Sequence, residues 1–114
     1  MKPSRIATVI YAAPDLEKVK AWYTAAFERE PYFDEPFYVG FDIGGCELGL
    51  DPNMPLQDGS TVTYWEIEEI EKDFAQLLDL NATVVDKPTD VGGGILVATV
   101  KDPFGNRIGL IQMP

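Results

Sequence analysis

Asp102-Pro103-Phe104-Gly105-Asn106-Arg107-Ile108-Gly109-Leu110-Ile111-Gln112 reads as a tight turn running into a strand. Proline and glycine stand at turn-forming places, and a run of β-formers follows. Sixty residues earlier the chain repeats itself: Gly45, Gly49 and Leu50 match Gly105, Gly109 and Leu110. A shift of 54 residues lays Leu16-Glu17-Lys18 on Ile70-Glu71-Lys72 and Ala21 on Ala75. Two copies of one structural unit explain these coincidences better than chance, and a unit of half this length buries too little core to stand alone.

The remaining elements fall into place around these anchors. The β-branched and aromatic stretch 5–12 is a strand. Asp15 after Pro14 is a natural N-cap, and Leu16, Val19, Trp22, Tyr23, Ala26 and Phe27 recur at helical spacing. Glu30-Pro31 marks the helix end, because a residue before proline disfavours the α region. A short strand is expected at 31–33. Strands at 37–43 and 46–50 flank Gly44-Gly45, a hairpin turn signal. Residues 51–60 carry no core pattern and form the expected connector between modules of about 1–52 and 60–114. The order then recurs: strand 61–67, helix 68–80 with Ile70, Phe74, Leu77 and Leu78 on one face, and strand 82–86. A loop at Gly92-Gly93-Gly94, strand 95–101, the turn at 102–106 and strand 107–112 complete it. The fold class is therefore α+β, with two βαβββ modules in one domain.

Composition narrows the function. The 114 residues carry 19 acidic and 9 basic side chains, a net charge of -10. That disfavours nucleic acid and anionic membrane surfaces, which both need Lys and Arg, and suits a cationic ligand. No apolar run approaches the roughly 20 residues of a membrane span, and no secretory leader opens the chain, so the cytoplasm is the expected compartment. The single cysteine, Cys46, sits in an apolar strand and reads as a small buried hydrophobe. There is no histidine, which removes the commonest general base and the commonest metal ligand together.

The layout resembles the vicinal-oxygen-chelate superfamily, which includes glyoxalase I, bleomycin-resistance proteins and extradiol dioxygenases. It is most similar to short bacterial glyoxalase-like proteins. Three features carry the resemblance: the strand leading to Asp15-Leu16-Glu17 and a helix with Trp22-Tyr23; the glycine-bounded strand from Gly45 to Leu50; and Asp102-Pro103-Phe104-Gly105-Asn106 opening the last strand. It implies a cupped mixed sheet with helices on the outer face, a cavity between modules, and assembly as a homodimer. In metal-dependent members, His, Glu or Gln ligands project into that cavity from the first and last strand of each module. The matching positions here are Thr8, Gly49, Val62 and Gly109. None is a usual side-chain ligand, so no metal or other cofactor is expected.

Strand alternation then assigns the cavity face. Ile6 and Ile10 join Thr8, Glu47 joins Gly49, Tyr64 and Glu66 join Val62, and Arg107 and Ile111 join Gly109. Val9, Leu48, Leu50, Trp65, Ile67, Ile108 and Leu110 fall on the helix side. Glu47 and Arg107 occupy matching places in the two repeats, and either pair with each other or orient a polar ligand. The glycines at 49 and 109 mark close approach, of a ligand or of packed backbone. Most of Trp22, Tyr23, Phe37, Tyr38 and Phe41 are expected in the core. The expected ligand set is thus Thr8, Glu47, Gly49, Val62, Tyr64, Glu66, Arg107 and Gly109, around a small molecule with a cationic or aromatic part. Two other functions fit the residues: a lyase or dioxygenase with an oxygen-ligand site drawn from Glu47, Glu66 and Asp51, and a regulatory subunit with a self-filled cavity.

Overall fold

The computed structural model describes residues 1–56 and 62–114. They fall into two compact units, Met1–Leu56 and Gln57–Pro114. The first holds β1 (Thr8–Ala12), α1 (Leu16–Phe27), β2 (Phe33–Glu35), β3 (Tyr38–Ile43) and β4 (Cys46–Asp51). The second holds β5 (Tyr64–Glu66), α2 (Ile70–Asp79), β6 (Thr83–Asp90), β7 (Leu96–Lys101) and β8 (Arg107–Gln112). Each is a βαβββ module with a four-stranded mixed sheet, ordered β1-β4-β3-β2 in the first and β5-β8-β7-β6 in the second. The first strand pairs in parallel with the last, and the other pairings are antiparallel. No described helix is long and apolar enough to cross a membrane.

Each helix covers one face of its own sheet: α1 lies on β3 and β4, and α2 on β6, β7 and β8. The helix side is the apolar one. Leu48, Leu50, Val39, Phe41, Val19 and Tyr23 are buried in the first unit, and Ile70, Leu77, Ala98, Val100, Ile108 and Leu110 in the second. The Tyr23 ring meets those of Tyr11, Trp22 and Phe27 at centroid distances of 5.6, 4.8 and 5.3 Å, in tilted or edge-on arrangements that aromatic quadrupoles favour.

The helix ends show how local chemistry sets the boundaries. The Asp15 carboxylate accepts from the Lys18 N–H at 3.4 Å, closing the first turn of α1. That helix stops before Glu30-Pro31: Glu28 already takes a left-handed conformation (φ 52°, ψ 48°) and its N–H reaches back to the Thr24 carbonyl. The N-cap of α2, Glu69, makes no side-chain cap bond. The Ile70 N–H is satisfied instead by the Gln112 side-chain oxygen at 2.8 Å, from the end of β8. At its other end, Asn81 (φ 72°) turns the chain, with Asn81 N–H to Leu78 O and Ala82 N–H to Leu77 O both at 3.0 Å, a Schellman closure.

Several strand boundaries differ from the sequence reading. β1 begins at Thr8 rather than 5, although the Glu47 N–H still bonds the Ala7 carbonyl at 2.9 Å. β2 lies at Phe33–Glu35 rather than 31–33. β5 is confined to Tyr64–Glu66, and the start expected at 61 lies outside the described residues. β4 takes in Asp51, assigned from sequence to the connector. β6 runs on to Asp90 through Pro88, with two register shifts against β7. A proline without an N–H is tolerated there because β6 is an edge strand.

The diagnostic turn at 102–106 is a structural device. The buried Asp102 carboxylate accepts from Phe104 N–H at 2.9 Å, Asn106 N–H at 2.8 Å and Asn106 Nδ2 at 3.0 Å. Its own N–H bonds the Asn106 carbonyl at 2.8 Å, and Gly105 supplies the positive φ of 100°. Asp102→Ala strands two buried donors and a part-buried one, so we expect a loss of about 2–4 kcal/mol in urea denaturation. A change within about 0.5 kcal/mol would contradict this role.

Candidate functional site

The Gly44-Gly45 turn has positive φ at both residues, 60° and 87°, which suits a two-residue hairpin with the right-handed twist of its strands. It sets Ile43 opposite Cys46, Asp42 opposite Glu47 and Gly40 opposite Gly49. On the other side of β4, Thr8 faces Glu47 and Ile10 faces Gly49. The sheet face away from α1 therefore carries Thr8, Ile10, Asp42 and Glu47 around a paired-glycine floor.

Two polar side chains lie on that floor. The Glu47 carboxylate covers Gly40, where an added Cβ would stand 2.9 Å from Oε1. The Tyr38 hydroxyl covers Gly49, where an added Cβ would collide with it. Tyr38 donates to Glu47 Oε2 at 2.7 Å, and the exposed Tyr32 donates to Oε1. Burial and the bond to Glu47 push the Tyr38 phenol well above its ordinary pKa of 10. The Tyr32 phenol is raised chiefly by its own bond to Glu47. Both therefore stay protonated donors near neutral pH. A carboxylate offers about four acceptor sites, so two donors leave Glu47 acceptor capacity to spare.

Beside this pair lies an open cleft of about 490 Å³, lined by Arg5, Ala7, Thr8, Tyr32, Asp42, Gly45 and Glu47. Its size falls in the range of small-molecule sites. Asp42 and Glu47 are direct cross-strand neighbours, a juxtaposition of like charges that weakens a sheet. Tyr32 is 63% exposed. Arg5 donates through Nη1 to the Gly45 carbonyl at 2.8 Å and the Ile6 carbonyl at 3.3 Å.

The structure brings Thr8, Glu47 and Gly49 together on the first sheet. The other sequence candidates sit on the second unit. Tyr64 (46% exposed) and the exposed Glu66 lie on β5, half-buried Arg107 and buried Gly109 on β8, and Val62 just before β5. Gly109 faces Tyr64 directly, and a Cβ there would stand 2.6 Å from the Tyr64 ring and 2.8 Å from the Thr63 carbonyl oxygen. Both repeat glycines thus give up their side-chain volume to a tyrosine of their own sheet. Sequence reasoning missed Arg5, Tyr32, Gly40 and Asp42, and placed Tyr38 with the probable core. Among the aromatics, Tyr23 and Phe41 are buried as expected, whereas Phe37 is 63% exposed. Cys46 is a free, half-buried thiol. Among the described residues, no group of three or more His, Cys, Asp or Glu side chains could hold a metal ion.

This duplicated βαβββ architecture defines a class of two-module α+β proteins. The sequence matches the Glyoxalase/Bleomycin resistance protein/Dioxygenase superfamily over residues 5–110, and the chain belongs to that superfamily. Solved structures agree in fold. A lactoylglutathione lyase from Agrobacterium tumefaciens is 22% identical over 98% of this chain and 96% of its own, with a TM-score of 0.76. A family enzyme from Burkholderia phytofirmans PsJN is 14% identical over 95% and 98%, with a TM-score of 0.82. A glyoxalase-related enzyme from Fulvimarina pelagi is 17% identical over 98% and 90%, with a TM-score of 0.80. Identities this low establish the fold alone. No curated protein matches the chain significantly.

Gly49→Ala must expel the Tyr38 hydroxyl and break its bond to Glu47. We expect a loss of about 1–3 kcal/mol in chemical denaturation. In a Tyr38→Ala background the same change should cost well under 1 kcal/mol, since the clash is gone. Equal costs in both backgrounds would show that the glycine serves something else.

Proposed function

We propose that this chain is a small-molecule-binding member of the superfamily that works without the family's metal. Its ligand carries a cationic amine and an aromatic or apolar part. The observation that carries this reading is the Asp42–Glu47 pair: two acidic residues directly across from each other on β3 and β4, both lining one cleft. A bound cation offers both carboxylates an opposite charge. The Tyr32 ring at the same wall can add a cation–π contact. The overall charge of -10 draws such a ligand in.

The metal positions support the same reading. Thr8 and Val62 are not usual ligands, Gly49 and Gly109 have no side chain, and tyrosines fill the volume in which ligands at 49 and 109 would begin. The donor set therefore does not fit the family's metal. A lyase or dioxygenase using carboxylates is the weaker reading. Among the described residues no three His, Cys, Asp or Glu side chains come together to hold a metal, and Asp51 Oδ1 accepts the Asn53 N–H at 2.8 Å. The relatives' fold argues for that chemistry only by analogy. Assembly as a homodimer belongs to the proposal as a property expected of the family.

Thermal shift on EDTA-treated protein tests it, with phenethylamine and agmatine as probes up to about 10 mM, a range suited to millimolar affinity. The expected result is a rise in Tm that survives EDTA and is lost in Asp42→Asn and Glu47→Gln. No shift with either amine, or a shift that needs added divalent metal, would overturn the proposal.

A further inference from the structure

The cleft also holds a positive charge that its acidic wall does not neutralise. Arg5 is anchored 40 residues away along the chain, on the Gly45 carbonyl, and its other hydrogen bond goes to the Ile6 carbonyl. Both acceptors are neutral. Among the described residues, no ion pair within 4.0 Å involves Arg5, so it has no carboxylate at salt-bridge distance. Yet Asp42 is close by. Gly45 uses its N–H for Asp42 Oδ1 at 2.9 Å and its C=O for Arg5 Nη1 at 2.8 Å. One residue, Gly45, thus hydrogen-bonds a carboxylate through its N–H and a guanidinium through its C=O. The turn conformation of Gly45, at φ 87°, fixes the directions of both groups.

Two opposite charges kept this near without pairing form a receptor with two signs. A ligand that is only cationic satisfies Asp42 and Glu47 but meets the repulsion of Arg5. One that is only anionic meets the reverse. A small zwitterion satisfies both ends, because guanidinium binds a carboxylate with parallel N–H donors and the acidic pair takes the ammonium. Because both groups bond the same residue, one small ligand such as an α-amino acid can reach the two signs together, and about 490 Å³ accommodates a side chain beyond them.

We propose that the cleft of the first unit selects a small zwitterion of the α-amino-acid kind, with Asp42 and Glu47 holding its ammonium and Arg5 its carboxylate. This deepens the proposed function and rests on it. Arg5 is then a specificity-determining residue, since it separates an amino acid from the amine lacking its carboxylate.

Calorimetric titration of EDTA-treated protein with L-phenylalanine, phenethylamine and 3-phenylpropionate tests it. The three share a ring and differ in charge. L-Phenylalanine should bind about tenfold or more tighter than either single-charge analogue, the discrimination expected of one charge-assisted contact. Arg5→Met, an exposed substitution, should erase that advantage and leave phenethylamine binding as tightly as before or more tightly. Phenethylamine equalling or exceeding phenylalanine in the parent, or an Arg5→Met variant that keeps the preference, overturns the zwitterion inference while leaving amine binding in place. If neither phenethylamine nor phenylalanine binds the parent, both the inference and the proposed function fail together. Unchanged urea midpoints for Arg5→Met will separate lost affinity from lost folding.

Discussion

The register imposed by Gly44-Gly45 governs the first unit. A two-residue turn with positive φ at both positions leaves β3 only one way to lie on β4. A slip of one residue would send Leu48 and Leu50 away from α1 and Glu47 into the core. With the register fixed, Gly40 meets Gly49 and opens a floor two side chains wide. Glu47 and Tyr38 lie down on that floor, and Tyr32 closes on Glu47 from the side. The cleft, its two carboxylates and the anchoring of Arg5 all follow from this pairing.

The two repeats use the same device for different ends. In the first, Gly49 is covered by a tyrosine hydroxyl from the antiparallel neighbour β3, which then holds a carboxylate. In the second, Gly109 is covered by the Tyr64 ring from the parallel neighbour β5, and the Thr63 backbone oxygen crowds the same space. A side chain at 49 collides with one that can swing away. A side chain at 109 collides partly with backbone, which is far stiffer. The cleft's polar groups gather in the first unit, while in the second the buried Asp102 and Asn106 serve the turn.

Much of this was legible in the chain. Repeated glycines, helix periodicity and the 102–106 turn predicted both βαβββ modules and the apolar helix side. The separation of Leu48 and Leu50 from Glu47 followed from alternation alone. The pairing of Gly40 with Gly49 was within reach too, since counting outward from Gly44-Gly45 gives it. What sequence could not supply was side-chain direction. Nothing in the order of residues says that Tyr38 lies along its sheet rather than into the core, or that Arg5, before the first strand, reaches back to Gly45. β6 runs beyond the expected end at 86 to Asp90, and its edge position makes Pro88 compatible with a strand.

The central claim is that the carboxylate pair on the first unit's glycine floor is a ligand site that needs no metal. Amide chemical-shift mapping on ¹⁵N-labelled, EDTA-treated protein tests this most directly, with phenethylamine as titrant. The account predicts saturable shifts concentrated at Ala7, Thr8, Asp42, Gly45 and Glu47, with the second unit largely unmoved. Shifts that appear only after a divalent metal is added, or that centre on β5 and β8, would contradict it.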